Sequence, residues 1–272
     1  MINTVVAGAA GRMGGRIIQM IEKSREIKLS GAFERPDHPS IGKDVGQIVG
    51  LANMDVALKG DIKEAMEGAD VLIDFTAPES TLKNFTFVSN TGQAIVIGTT
   101  GITSEINNEL NRLAEKIRCV IAPNMSVGVN VMFKVVSDLS KILNRGYDME
   151  VIEYHHRLKK DAPSGTAMHL AKILADTTGR NPDTDLVYKR KGFVGVRRDE
   201  EIGIQSIRAG DIVGEHTTIF AGVGERIEIT HRAHSRDNFA RGALLAATWI
   251  MEQPNGIYDM QDVLGLKENT NV

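Results

Sequence analysis

The sequence has a single cysteine, Cys119, so no disulfide can close within the chain. That residue lies in the apolar run 117-IRCVIA-122 and reads as a small buried hydrophobe. No run of about 18 apolar residues occurs, so no membrane span is expected. The opening 1-MINTVVAGAAGRMG-14 lacks a charged segment followed by a long apolar stretch; it reads as a strand and not as a secretory signal. An excess of one charge is missing too: 32 Lys+Arg stand against 35 Asp+Glu, a net charge of −3. Without a global basic field, neither nucleic acid nor a membrane is an expected partner. The cytoplasm is the expected location, and a local basic cluster in such a chain suits a small anion.

What is present is ordinary globular composition, 42% apolar and 25% charged over 272 residues, enough for one large domain or two modest ones. The first half alternates strands and helices. Strands are expected at 2–8, 28–34, 70–76, 93–101 and 117–124, and helices at 11–24, 61–68, 78–90 and 103–116. Nearly continuous apolar strands separated by helices imply a parallel sheet covered on both faces. Ligands of such sheets lie beyond the carboxyl ends of the strands, which directs attention to Gly8, Glu34, Phe75-Thr76, Gly98-Thr99-Thr100 and Pro123-Asn124.

The first strand exit reads 8-GAAGRMG-14. Gly8, Gly11 and Gly14 approximate a dinucleotide fingerprint, with Ala10 where a middle glycine often stands. The turn opens a helix, whose N–H groups and dipole favour a pyrophosphate. Glu34 ends the second strand 20 residues past Gly14, where an acid would bind ribose hydroxyls. Arg35 follows it and either accepts a 2′-phosphate or is a plain surface residue, so NADH and NADPH stay unranked. Arg12 either touches adenine or phosphate, or is a solvated first-turn arginine. The small polar exits 98-GTTG-101 and 122-APNMS-126 let backbone approach a nicotinamide and its ribose.

Beyond Asn124 the rhythm changes. Helices are expected at 126–144, 164–178 and 236–253, and strands at 148–156, 202–209, 214–222 and 225–233. Residues 181–201 read as polar and irregular, and Gly210-Asp211 and Gly222-Val223-Gly224 as turns joining the last three strands. The fold class is therefore α/β: a Rossmann-like dinucleotide-binding domain, 1–125, plus an α+β substrate and oligomerisation domain, 126–236, with an open mixed sheet. A C-terminal helix, 237–272, is expected to pack back on the first domain. The strand 202–209 buries neither face cleanly, which suggests a homo-oligomer built on that sheet.

The densest chemistry is in 153-EYHHRLKKDAPSGTA-167. It runs from a strand end into a helix start, 164-SGT-166, whose free N–H groups suit an anion. Gly165 permits close approach, and His155, His156 and Lys159 add donors. The stretch reads as a carboxylate pocket with a proton source. Adjacent histidines point to opposite sides of a strand, so no metal site is expected. Ser164 lacks a G-x-S-x-G context and reads as a helix cap rather than a nucleophile.

This loop, together with 6-VAGAAGRMG-14, 72-LIDFTAPE-79, 96-VIGTTG-101, 122-APNMSVGVN-130 and 208-RAGDIVGEHT-217, resembles the 4-hydroxy-tetrahydrodipicolinate reductase (dihydrodipicolinate reductase) family from end to end. The resemblance implies reduction of a cyclic dihydropyridine dicarboxylate by NADH or NADPH, on the route to diaminopimelate and lysine. It implies His155 as proton donor/acceptor and Lys159 as second proton donor. His156, Gly165 and Thr166 would bind the dicarboxylate substrate. Cofactor contacts would come from Gly8, Ala9, Ala10, Gly11, Arg12, Met13, Glu34, Arg35, Gly98, Thr99, Thr100, Ala122, Pro123, Asn124 and Met125. A homotetramer is implied as well. Pro123 and Leu158 depart from common family spellings. A different two-domain dehydrogenase, or a dinucleotide-binding redox sensor without chemistry, stands as the alternative reading.

Overall fold

The computed structural model describes residues 1–267. The chain forms two compact units, Met1–Val127 with the segment from Arg236 onward, and Gly128–Ser235.

The first unit opens with β1 (Ile2–Ala7), α1 (Arg12–Ile21), β2 (Ile27–Phe33), α2 (Val45–Val49), β3 (Leu58–Lys59), α3 (Ile62–Ala65), β4 (Val71–Asp74), α4 (Pro78–Thr91), β5 (Ala94–Ile97), α5 (Ser104–Arg112) and β6 (Arg118–Ile121). Its strands pair in the order β6-β5-β4-β1-β2-β3, every pair parallel. β1 pairs with β2 on one side and β4 on the other, so the strand order reverses between β1 and β4, where such sheets open a ligand crevice. All residues of β4 and β5 are buried, which is why both read as unbroken apolar runs. One core holds Val6, Ile17, Ile18 and Val96; a second, on the opposite face, holds Leu72, Phe85, Ile95 and Leu110. Each fully buried Ile, Leu or Phe contributes roughly 1.5–3 kcal/mol of transfer free energy.

Helix starts follow local chemistry. The Asp61 carboxylate accepts the N–H groups of Lys63 and Glu64, the Thr103 hydroxyl accepts that of Ile106, and Pro78 occupies the first turn of α4. The short α2 and β3 were expected only as loop. One side chain organises that segment: Asp44 accepts N–H groups from Gly46, Met54 and Val56 at 2.9–3.2 Å. A single aspartate leaves no periodicity to read.

The second unit contains α6 (Val127–Ile142), β7 (Asp148–His155), α7 (Gly165–Thr178), α8 (Pro182–Asp185), β8 (Leu186–Val187), β9 (Ile202–Arg208), β10 (Gly214–Gly222) and β11 (Glu225–Ala233). Its sheet runs β11-β10-β7-β9-β8. β9 is parallel to β7 and β8, whereas β10 is antiparallel to β7 and β11, so the sheet is mixed. Met132, Phe133 and Val136 from α6 and Leu170 and Leu174 from α7 pack on Met149, Val151, Ile202 and Phe220. The expected turn at Val223-Gly224 is a two-residue hairpin closed by the Gly222–Glu225 pair, with Gly224 at φ 85°. The expected turn at Gly210-Asp211 is present, but it does not close a hairpin. β9 and β10 flank β7 on opposite sides, so residues 209–213 cross its end, and Arg157 donates its N–H to the Gly210 carbonyl at 3.1 Å. Parallel pairing of β9 with β7 overrides the local hairpin signal. The expected irregular stretch 181–201 holds α8 and β8.

The chain then adds α9 (Asp237–Trp249), β12 (Gly256–Tyr258) and α10 (Met260–Val263) to the first unit. The single helix expected over 237–272 therefore breaks at Trp249. A 3₁₀ turn, Ile250–Glu252, leads to Pro254, which cannot continue a helix, and β12 then pairs with β6. The rest of that expectation, 268–272, lies outside the described residues. The alanines of α9, Ala240, Ala243, Ala246 and Ala247, are fully buried in the first-unit core. A Cβ on Gly242 would stand 1.7 Å from the Met125 carbonyl oxygen, so α9 lies directly on the 122–125 loop.

Candidate active site

The first constellation is the β1–α1 turn. Gly8 has φ 64°, and the Gly11 N–H closes the turn on the Gly8 carbonyl at 2.9 Å. A Cβ on Gly14 would stand 2.2 Å from that same oxygen, so α1 approaches β1 more closely than any side chain allows. Gly11 is the N-cap of α1 and offers no side chain to its first N–H groups. This donor set and its glycine-lined approach fit a dinucleotide pyrophosphate. Arg12 is exposed beside it, and Ala10 and Met13 turn toward the core.

Glu34 follows β2, with its N–H on the Lys59 carbonyl at 3.0 Å. Its carboxylate accepts the Arg35 N–H at 3.1 Å, while the exposed Arg35 guanidinium meets Asp37 at 3.3 Å. At the exits of β4 and β5, Asp74 is fully buried and accepts from the Thr76 N–H and hydroxyl and from Asn84. Thr99 joins this network through the Thr76 N–H at 3.1 Å and Thr81 at 2.7 Å. A Cβ on Gly98 would collide with the Phe75 ring at 2.2 Å. Thr99, Thr100 and Pro123 line a cavity of about 440 Å³ together with Ile102, Thr103 and Asn107. Ala122 and Met125 are buried in the core beneath, and Asn124 accepts the Ser126 N–H at 2.9 Å.

The second constellation is built on three neighbouring strands. Register pairs Arg208 with His155 and Gly214 with Ala233, and Gly214 lies against the His155 ring one step beyond the last β7–β10 pair, Tyr154–Glu215. The adjacent row is Ser206, Glu153, His216 and His231. Directly paired residues share a face, so both polar rows stand at one end of the face that holds the apolar core. Glu153 is fully buried. Arg208 grips both of its oxygens at 2.8 Å, His155 Nδ1 meets Oε2 at 2.5 Å, and the Ser164 N–H reaches Oε1 at 3.2 Å. Burial alone would raise this carboxyl; hydrogen bonds from His155, Arg208 and Ser206 outweigh it and hold the group far below the usual carboxylate range.

Ser164 caps α7, accepting the Ala167 N–H at 3.2 Å, and its hydroxyl also meets His216 Nε2 at 3.0 Å. Burial, aided by the nearby His155, pushes His216 down to about 3, so it is neutral in ordinary conditions. The His155 and His216 rings meet edge to face at 5.2 Å. Lys159 donates to Asp161 at 2.9 Å and holds that carboxyl below its ordinary value. The loop ends at a cis Ala162–Pro163 bond. Gly165, the first residue of α7, is exposed at an ordinary helical φ, and a Cβ there would touch nothing within 4 Å.

Family models match both parts of the chain: dihydrodipicolinate reductase, N-terminus, over residues 2–125, and dihydrodipicolinate reductase, C-terminus, over 128–264. The chain belongs to the dihydrodipicolinate reductase family. The 4-hydroxy-tetrahydrodipicolinate reductases of Syntrophus aciditrophicus and Citrifermentans bemidjiense are 48% and 51% identical to it, each over 98% of this chain and 100% of its own length. A dipicolinate-bound dihydrodipicolinate reductase from Paenisporosarcina sp. TG-14 superposes with a TM-score of 0.76 at 26% identity, covering 96% of this chain and 98% of that one. An amine dehydrogenase from Mycobacterium smegmatis shares the fold, with a TM-score of 0.61 at 14% identity over 94% of each chain.

Within this dihydrodipicolinate reductase fold, sequence reasoning singled out His155, His156, Lys159, Gly165 and Thr166, and all five lie between the end of β7 and the first turn of α7. It passed over Glu153, Arg208, Gly214 and His216. Three of these stand in the quoted stretch 208-RAGDIVGEHT-217, yet only the register shows that they converge on His155. Among the described residues, no helix is long and apolar enough to cross a membrane.

Proposed function

We propose that this protein reduces the dehydrated form of 4-hydroxy-tetrahydrodipicolinate to tetrahydrodipicolinate, using NADH or NADPH, in diaminopimelate and lysine biosynthesis. The observation that carries the reading is family membership across both units, joined to a basic loop that ends at an unobstructed helix start. Bound at the β1–α1 turn, the dinucleotide supplies the hydride. Gly8 through Met13 would hold its pyrophosphate, Glu34 and Arg35 the adenosine ribose, and the Gly98–Thr100 and Ala122–Met125 loops its nicotinamide end. Arg35 already spends its charge on Asp37, in keeping with no strict choice between the two cofactors.

Gly165, Thr166 and His156 would take the substrate carboxylates, because a helix N-terminus carries donors and partial positive charge. Hydride addition to the conjugated ring leaves an enamine-like anion. His155 delivers a proton to ring carbon, and Lys159 offsets the charge that develops on the ring and its carboxylates. The assay is loss of dinucleotide absorbance with enzymatically generated dihydrodipicolinate; a rate no higher than a no-enzyme control defeats the proposal. His155→Gln and Lys159→Ala should each lower kcat by about 100-fold or more while dinucleotide affinity stays near wild type.

The same reading includes assembly into a homotetramer in the cytoplasm. The face of the second sheet opposite α6 and α7 carries Ile152, Ile219 and the exposed Ile207, with Arg190 and Arg197 reaching Glu150 at one end of it. β11 is an edge strand exposed along most of its length. A sedimentation profile showing a monomer at micromolar concentration would remove the tetramer.

A further inference from the structure

We propose that Glu153 is a positioning residue: clamped by Arg208, it fixes the ring and tautomer of His155 so that Nε2 is the atom that delivers the proton. This inference rests on the proton-transfer reading above.

The geometry is specific. Glu153 reaches His155 across two residues of one strand, through Oε2 and Nδ1. Both carboxylate oxygens are also held by the two terminal nitrogens of Arg208, 55 residues later, and Oε1 takes the backbone N–H of Ser164. A fully buried carboxylate so fully engaged is ionised and cannot rotate without breaking several charge-assisted hydrogen bonds. An ionised carboxylate accepts only, so Nδ1 must be the donor. The proton on Nδ1 is therefore committed, and Nε2 is the ring atom left to exchange protons.

The other side of the ring is equally shaped. Gly214 lies against the His155 ring, and a Cβ there would come within 3.1 Å of Nε2. Gly214 has no positive φ that demands glycine, so the missing side chain serves the space around Nε2. His216 closes the edge of the ring and, being neutral, adds no competing charge.

In the reaction the hydride pair forms a new C–H bond on the ring and its charge passes into the enamine. The Nε2–H bond of imidazolium His155 then breaks, its proton joins ring carbon, and neutral His155 keeps Nδ1–H on Glu153. Glu153 gains and loses no proton. The same carboxylate binds the Ser164 N–H, so it also ties the proton donor to the start of the carboxylate-binding helix.

Full-length Glu153→Gln, Gly214→Ala and His155→Gln are compared with wild type. Glu153→Gln should lower kcat by about 10- to 100-fold, the usual cost of losing a residue that orients a functional histidine, with KM values changed little. Its solvent deuterium isotope effect on kcat should rise and the isotope effect from deuterated dinucleotide should shrink, because protonation becomes limiting. Nitrogen-15 spectra of histidine-labelled protein should show neutral His155 protonated at Nδ1 in wild type and a tautomer mixture in the variant. Unchanged kcat and isotope effects, or a lower kcat with neither isotope effect moved, overturn the proposal. Should Glu153→Gln fail to fold, Gly214→Ala decides: the same isotope signature supports the inference and its absence overturns it. An active His155→Gln instead refutes the proton-transfer reading itself, a separate result.

Discussion

Replacing Gly165 by alanine should make the protein more stable and less active at once. Gly165 is the first residue of α7, at an ordinary helical φ, and an added Cβ meets no atom within 4 Å. Nothing in the fold requires glycine here. Alanine loses less backbone freedom on folding, worth up to about 1 kcal/mol. For a protein of this size that raises Tm by about 2–4 °C. The empty space is where a substrate carboxylate would approach the first N–H groups of α7, which have no intrahelical acceptor. Displacing the carboxylate weakens one or two charge-assisted hydrogen bonds of about 1.5–3 kcal/mol each. Loss of about one such bond lowers kcat/KM by about 10- to 100-fold. Calorimetry and initial rates, with dicarboxylate and dinucleotide varied in turn, separate the two effects, and the KM for dinucleotide should not move. A variant with raised Tm and unchanged kcat/KM would refute the assignment of α7 as the carboxylate receptor. A lowered Tm would refute the claim that the fold leaves this position free.

The glycine turn is testable in the opposite sense. Gly14→Ala places a methyl 2.2 Å from the Gly8 carbonyl oxygen, so it should lower both stability and dinucleotide affinity, read by melting and by fluorescence titration. His216 should shape the acid limb of stability. Its folded value of about 3 lies below the ordinary 6.5, so its contribution is complete above pH 6.5 and is lost as pH falls. His231, also depressed by burial, acts with the same sign. Glu153, depressed from 4.5, adds its own loss only below that value, so the slope between pH 6.5 and 4.5 reports the histidines, at most about 1.4 kcal/mol per pH unit for each. Chemical denaturation of His216→Gln across this window should show a flatter slope; an unchanged slope rejects the role.

Local physics made much of this molecule readable. The β1–α1 turn was legible because Gly8 takes φ 64°, Gly11 faces the Gly8 carbonyl and close approach of α1 excludes a side chain at Gly14, which leaves a spacing in the sequence. β4 and β5 were legible because a covered parallel sheet turns every residue inward. The basic loop was legible because Ser164 caps a helix within the same short stretch that carries His155 and Lys159. Register is what the chain does not print. The Glu153–Arg208 clamp joins residues 55 apart, and it depends on β9 lying parallel to β7 while β10 lies antiparallel on its other side. Gly210-Asp211 carries the same turn residues whether it makes a hairpin or a crossing, so the turn was legible and its partner strands were not. β12 has three residues, too few to show a period, and its existence follows from Pro254 stopping the preceding helical turns and from a free edge on β6.

One feature of the connectivity bears on how this protein is made. The first unit is discontinuous: β12 and α9, which complete its sheet and core, follow the entire second unit in the chain. On a ribosome, residues 1–127 would emerge with Val120, Ala122 and Met125 lacking the buried alanines that cover them. Domains that are contiguous can fold in turn during synthesis. Here the inserted unit can close first, and the dinucleotide-binding unit must wait for translation to pass residue 258. A fragment ending at 127 should therefore be an aggregation-prone folding intermediate, whereas direct fusion of 1–127 to 236–267 would restore the neighbours it lacks.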